Sequence, residues 1–160
     1  MTPKEPYIIH RCSEIEAILK DAVMWSSNEK LGAHLAAYIS VLTIGFLEDC
    51  IEYLINQRVS KTNDDEIKNY IRGVIHQRFK NPDWGTISGL LGEFSPEYKK
   101  AFANKITHNG VEATALQGML YNKNALAHEG TDKLQMTIND VNNYYHRIVP
   151  ILETLEQILI

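Results

Sequence analysis

Residues 31–54 read LGAHLAAYISVLTIGFLEDCIEYL, a stretch whose large apolar side chains recur every three or four positions. That period is the one at which an α-helix turns its apolar side chains toward a single core. The stretch is also long, as the central helix of a bundle is, and it predicts a helix over about residues 31–59. The predicted core stripe consists of Leu31, Leu35, Ile39, Leu42, Phe46, Cys50 and Leu54.

This stretch is not expected to span a membrane. Ser40 and Thr43 interrupt its longest apolar run, and the charged pair Glu48 and Asp49 ends it. A bilayer-spanning helix needs about 20 predominantly apolar residues in succession. We therefore expect that the protein neither spans a membrane nor binds one.

Three more bundle helices follow from apolar periodicity joined to helix-start signals. Ser13 is followed three residues later by Glu16, which is the pattern of a capping box. Thr137 and Asp140 frame the start of the last helix in the same way. The predicted ranges are about 13–25, 111–128 and 138–160.

A smaller helical insertion is predicted over about residues 64–106. Asn63 with Glu66 has the pattern of another capping box, and Ser95 precedes a proline at the first position of a further helix. No segment alternates for long with the period of two that indicates a strand. The predicted fold class is therefore all-α, one domain over residues 1–160 with four longer helices and this insertion.

Charge limits the kind of nucleic-acid contact that the chain could make. Its formal net charge of −4 argues against coating of nucleic acid through bulk positive charge. Residues 66–110, however, carry seven basic and four acidic side chains, so any RNA contact is expected to be local. Solvated surface charges without a partner are the alternative interpretation. The candidate RNA-binding residues are Arg72, Arg78, Lys80, Lys99, Lys100 and Lys105.

Cysteine and histidine positions indicate neither a disulfide framework nor a metal site. Cys12 and Cys50 are far apart and lack the paired spacing of zinc ligands, and the histidines have no metal-ligand spacing with carboxylates or cysteines. We expect reduced thiols in a cytoplasmic protein that needs no metal.

A compact polar group stands near the predicted end of the third bundle helix. Asn124 and His128 are four residues apart, which places them on one helix face, and Lys123 flanks them. One interpretation is purely structural, because lysine and histidine in a last turn complement the helix dipole and asparagine is frequent at helix ends. The other is catalysis: a histidine can take the proton of a ribose 2′-hydroxyl while a cation and an amide hold the phosphate.

Three ordered blocks of the sequence resemble the HEPN superfamily, and most closely its RiboL-PSP-HEPN branch. Residues 121–130, YNKNALAHEG, are similar to the motif in which an arginine, a polar residue and a histidine end a helix. Residues 41–49, VLTIGFLED, form the second block. Residues 79–84, FKNPDW, form the third together with residues 90–94, LLGEF.

The resemblance implies a HEPN-type helical bundle that forms a homodimer around its motif helices. It also implies an endoribonuclease without metal or other cofactor, which cleaves RNA by 2′-hydroxyl attack at a site composed of both subunits. Members of the superfamily commonly serve as toxins or effectors in bacterial stress and antiphage defence. An antitoxin or sensor is therefore a further expected partner.

Carried over by position, the resemblance assigns the acid and base role to His128 and a supporting polar role to Asn124. Lys123 takes the place of the family arginine. Glu48 is a candidate supporting carboxylate, and a plain surface charge explains it equally well. Glu129 departs from the family pattern, and its carboxylate could support His128 by orienting the ring or could repel phosphate. Lysine binds phosphate as a point charge, without the two-pronged grip of arginine. We therefore also consider a second hypothesis, a catalytically weakened or silent HEPN module that binds RNA or a protein partner.

Overall fold

The computed structural model describes residues 3–128 and 136–160, with Arg78 described by its backbone only. Within these residues it contains helices and no strand, which confirms the predicted all-α class. Four helices are long and three are short, and the short ones lie where the insertion was predicted. The helices are α1 (Pro6–Val23), α2 (Glu29–Ser60), α3 (Asp65–Arg78), α4 (Trp84–Phe94), α5 (Pro96–Lys105), α6 (Val111–His128) and α7 (Ile138–Leu159).

Helix α2 is the centre of the bundle and packs against α1, α3, α6 and α7. Its buried surface is wider than the single stripe that the periodicity predicted. Leu31 is exposed, and Leu35 and Leu42 are only partly buried, whereas Ala36 and Leu47 are fully buried. The prediction of one stripe was wrong there because a helix with neighbours on several sides buries more than one row of side chains.

The first helix begins earlier than predicted, at Pro6 rather than Ser13. The Ser13 hydroxyl donates to the carbonyl of His10 inside the helix, so it caps nothing. Pro6 occupies the first turn, where its missing N–H costs no hydrogen bond. The capping-box interpretation of Ser13 and Glu16 was therefore wrong.

The predicted starts of α2, α3, α5, α6 and α7 fall within two residues of the observed ones. Asp64, not Asn63, caps α3, its side chain accepting from the Ile67 N–H at 3.0 Å. The Thr137 and Asp140 capping box of α7 is confirmed in both directions. Ser95 and the proline after it start α5 as predicted.

Helices α6 and α7 pack closely because of a glycine. A Cβ atom at Gly118 would overlap the ring of Tyr144, so the ring of α7 lies directly on the backbone of α6. Any larger residue at this position would separate the two helices or displace the ring.

Among the described residues, only α2 is long and apolar enough to cross a membrane by length and composition alone. Half of its most apolar window is buried inside the folded chain, and core helices of soluble proteins have the same features.

The N-terminal end of α1 is held by a carboxylate from the last helix. Both Glu156 carboxylate oxygens accept from the Lys4 N–H at 2.9 Å, and one also accepts from the Glu5 N–H at 2.6 Å. Glu156 is 9% exposed, so these hydrogen bonds are largely shielded from water. They satisfy donors that the start of a helix would otherwise leave without partners.

We expect Glu156→Ala to lower the free energy of unfolding by about 1–3 kcal/mol, because it leaves part-buried N–H donors unsatisfied. Urea denaturation measures the loss. Glu93→Ala is the matched control, since Glu93 is exposed on α4 and should change stability by less than about 0.5 kcal/mol. Equal losses in the two variants would contradict the capping role.

Candidate functional site

One face of α6 is left uncovered by the rest of the bundle. Thr114, Gln117, Tyr121, Asn124 and His128 are all exposed and are separated alternately by three and four positions. This spacing places them in one row along the helix. We call this row the outer stripe of α6.

The two residues of the stripe nearest the helix end are the predicted catalytic His128 and its partner Asn124. Both side chains are exposed in the last turns of α6. Within residues 3–128 and 136–160, neither makes a hydrogen bond or an ion pair to another side chain or to the backbone outside the helix. The imidazole and the carboxamide are therefore accessible together to a ligand or a second subunit.

Lys123 points away from this pair. It precedes Asn124 by one position, a rotation of about 100° around the helix axis. Its ammonium Nζ lies 3.6 Å from the Glu48 Oε1 on α2, with 24% of the lysine side chain and 18% of the glutamate side chain exposed. The structure thus brings Lys123 to Glu48, and no ion pair or hydrogen bond between described residues links it to Asn124 or His128.

Glu48 also fixes the turn between α3 and α4. Its Oε1 accepts from the Asn81 backbone N–H at 2.7 Å. Asn81 has a φ of 50°, a left-handed conformation that asparagine tolerates better than most residues. The carboxylate therefore connects α2, the last turns of α6 and this turn. The sequence had suggested either support for Lys123 or His128 or a plain surface charge, and it gave no sign of the contact with the turn.

A buried amide that the sequence analysis did not single out joins α6 to α2. The Asn122 Nδ2 donates to the Ser40 Oγ at 2.9 Å, and the Ser40 hydroxyl donates to the Ala36 carbonyl at 2.8 Å. Asn122 is 2% exposed and Ser40 is fully buried. The sequence does contain a signal for this contact. Asn122 follows Ala115 by seven residues and Met119 by three, so it lies on the apolar face of the predicted helix.

The candidate RNA-binding residues lie on other elements. Those whose side chains are described are exposed, on α3, on the turn after it and on α5. Lys105 is engaged by Gln157 of α7, and Lys80 directly precedes the turn residue that Glu48 holds. Glu129 and the Arg78 side chain lie outside the described part of the structure.

A cavity of about 540 Å³ opens beside the first half of the outer stripe. It is bounded by α6, by the start of α4, by the loop between α5 and α6, and by α7. Its lining combines aromatic rings with polar side chains. Its lining includes Asp83, Trp84, His108, Asn109, Thr114, Gln117, Tyr121 and Tyr144.

Neither cysteine belongs to these surfaces. Cys12 and Cys50 are buried as unbridged thiols, and burial raises the pKa of both. Among the described residues, no group of three or more histidine, cysteine, aspartate or glutamate side chains is placed to hold a metal ion.

Comparisons with known proteins add no identification. No family model, no curated protein and no solved structure matches the chain.

A double-mutant cycle tests the link between α2 and α6. Glu48→Ala should lower the free energy of unfolding by about 0.5–1.5 kcal/mol, because it removes the acceptor of the Asn81 N–H and the partner of Lys123. Together with Lys123→Ala it should show a coupling of about 0.5–1 kcal/mol. Glu52, one turn further along α2, is the control for the same cycle. A coupling as large with Glu52→Ala as with Glu48→Ala would contradict the ion pair.

Proposed function

We propose that the chain is a HEPN-type endoribonuclease that needs no metal and cleaves RNA by 2′-hydroxyl attack. It works as a homodimer in which the ends of two α6 helices form one cleft. The observation that carries this proposal is the outward-facing pair of Asn124 and His128, which the fold leaves exposed at the end of the motif helix.

In the proposed reaction His128 of one subunit takes the proton of a ribose 2′-hydroxyl. The 2′ oxygen then attacks the adjacent phosphorus, and the bond from phosphorus to the 5′ oxygen breaks. His128 of the partner subunit gives a proton to the departing 5′ oxygen, so the products are a 2′,3′-cyclic phosphate and a 5′-hydroxyl. A two-fold axis supplies both histidines to one cleft, whereas a single chain supplies only one.

Asn124 has a positioning role in this scheme. Its carboxamide lies on the same helix face as His128, one turn away, and offers N–H donors to a phosphate oxygen. Negative charge develops on those oxygens as the 2′ oxygen attacks, so a fixed donor stabilises the transition state.

A second candidate is a weakened or silent HEPN module that binds RNA or a protein partner through the same surface. The contact between Lys123 and Glu48 favours this candidate. The negative charge of the carboxylate offsets the positive charge of the ammonium and weakens its attraction for a phosphate. An arginine in place of Lys123 would present a planar fork of N–H donors that can bind two phosphate oxygens at once. The two candidates therefore differ in what residue 123 contributes.

The sequence resemblance to the HEPN superfamily supports a proposal about biological role. We propose a cytoplasmic toxin or effector of bacterial stress or antiphage defence, in which an antitoxin or sensor partner restrains the activity. The exposed outer stripe of α6 is a surface that such a partner would have to cover.

An RNase assay in the presence of EDTA tests the proposal. The native chain should cut single-stranded RNA and leave cyclic phosphate ends, and His128→Ala should lower the rate by at least about 100-fold. His10→Ala is the matched control, since His10 is also exposed, lies on α1 and should leave the activity unchanged. Cutting that survives His128→Ala would contradict the assigned base.

Lys123→Arg separates the two candidates. If the native chain does not cut RNA and Lys123→Arg does, the silent module is the native state. If neither variant cuts RNA under conditions in which the protein is dimeric, the nuclease proposal fails.

A further inference from the structure

The cavity beside the outer stripe has the size and the walls of a small-molecule site. Its volume of about 540 Å³ falls in the usual range of ligand pockets. Such sites combine apolar or aromatic walls with a few polar groups that fix the ligand's orientation. Both kinds of group are present here.

The aromatic walls are held in place by their own contacts. The Trp84 indole donates its Nε1–H to the Ile106 carbonyl at 2.8 Å, and its ring meets the edge of His108 with the centroids 4.8 Å apart. Tyr144 lies on the backbone of Gly118, where no larger residue would leave room for the ring. These contacts restrict the movement of each ring, and a flat ligand can stack on a ring that is held in this way.

The polar groups of the cavity suit the edge of a nucleobase. Gln117 and Thr114 are exposed on the stripe, and within the described residues no hydrogen bond engages either side chain. A carboxamide offers a donor and an acceptor side by side, the pattern that base edges present in complement. Proteins read unpaired RNA bases by this combination of aromatic stacking and edge hydrogen bonds.

The cavity and the proposed cleavage site share one helix face. Gln117 precedes His128 by eleven residues, a rise of about 16 Å along α6. An RNA strand that runs along the outer stripe would thus pass first the cavity and then His128, with the exposed Tyr121 between Gln117 and His128.

We propose that this cavity binds one unpaired base of the RNA substrate, about 16 Å along α6 from His128, and that Gln117 selects the base. This inference rests on the proposed function, because it assigns the base preference of the same site. Trp84 and Tyr144 provide stacking, and Gln117 provides the hydrogen bonds to the base edge.

Tryptophan fluorescence tests the inference without any cleavage. Trp25 and Trp84 are the two tryptophans of the chain, and Trp25→Phe leaves Trp84 as the single reporter inside the cavity. The probes are four hexamers of 2′-O-methyl ribonucleotides, each of one base, which cannot be cut because they lack a reactive 2′-hydroxyl. The matching nucleoside 5′-monophosphates form a second set.

We expect saturable quenching by the hexamers, strongest for one base. In the Trp25→Phe background, Gln117→Ala should weaken binding of the preferred hexamer by about three- to tenfold. Asn104→Ala is the matched control, since it removes an exposed carboxamide on α5 and should leave binding unchanged. Monophosphates should bind much more weakly than hexamers.

Three results would overturn the inference: no quenching by any hexamer, quenching that Gln117→Ala leaves unchanged, or equal affinity for monophosphate and hexamer. The last result would instead indicate a site for free nucleotides. Because the hexamers report binding alone, quenching without RNA cutting would reject the nuclease and keep the base site. RNA cutting without quenching would reject the base site alone.

Discussion

The hydrogen bond between Asn122 and Ser40, together with the apolar face of α6, sets the rotation of that helix, and the placement of the candidate residues on α6 depends on it. Both side chains are buried, and leaving either polar group without its partner would cost about 1–3 kcal/mol. Because Asn122 faces α2 in the core, the rotation of about 100° per residue determines the directions in which the residues after it point. Lys123 turns toward Glu48, and Asn124 and His128 turn to solvent.

The two parts of the sequence motif therefore have different surroundings. Lys123 belongs to an ionic link that reaches Glu48 and, through it, the turn at Asn81. Asn124 and His128 belong to an exposed row that offers groups for binding and proton transfer. A catalytic site that uses Lys123 together with Asn124 and His128 would have to separate the lysine from Glu48. Otherwise the site needs a cation from another residue. This separation is why the weakened or silent module remains a specific alternative to the nuclease.

The fold class and most helix bounds could be predicted because they depend on local patterns. The range of α6 and the cap at Thr137 follow from residues within one or two turns. The early start of α1 could not, since Glu156 supplies the carboxylate at its N-terminal end from the opposite end of the chain. Lys123 was grouped with His128 by closeness in sequence, whereas neighbours on a helix are three or four residues apart. Residues from four elements line the cavity, and a pattern within one short segment of the sequence cannot predict such a site.

A cleft shared by two subunits has a consequence that a complete site on each subunit does not have. If each cleavage needs one His128 as base and a second as acid, only a dimer of two native chains is active. Native chain is mixed and re-equilibrated with increasing amounts of the His128→Ala variant at constant total concentration, and the RNA cleavage rate is measured. The rate should fall with the square of the native fraction. A rate that falls in direct proportion to the native fraction would contradict the shared cleft.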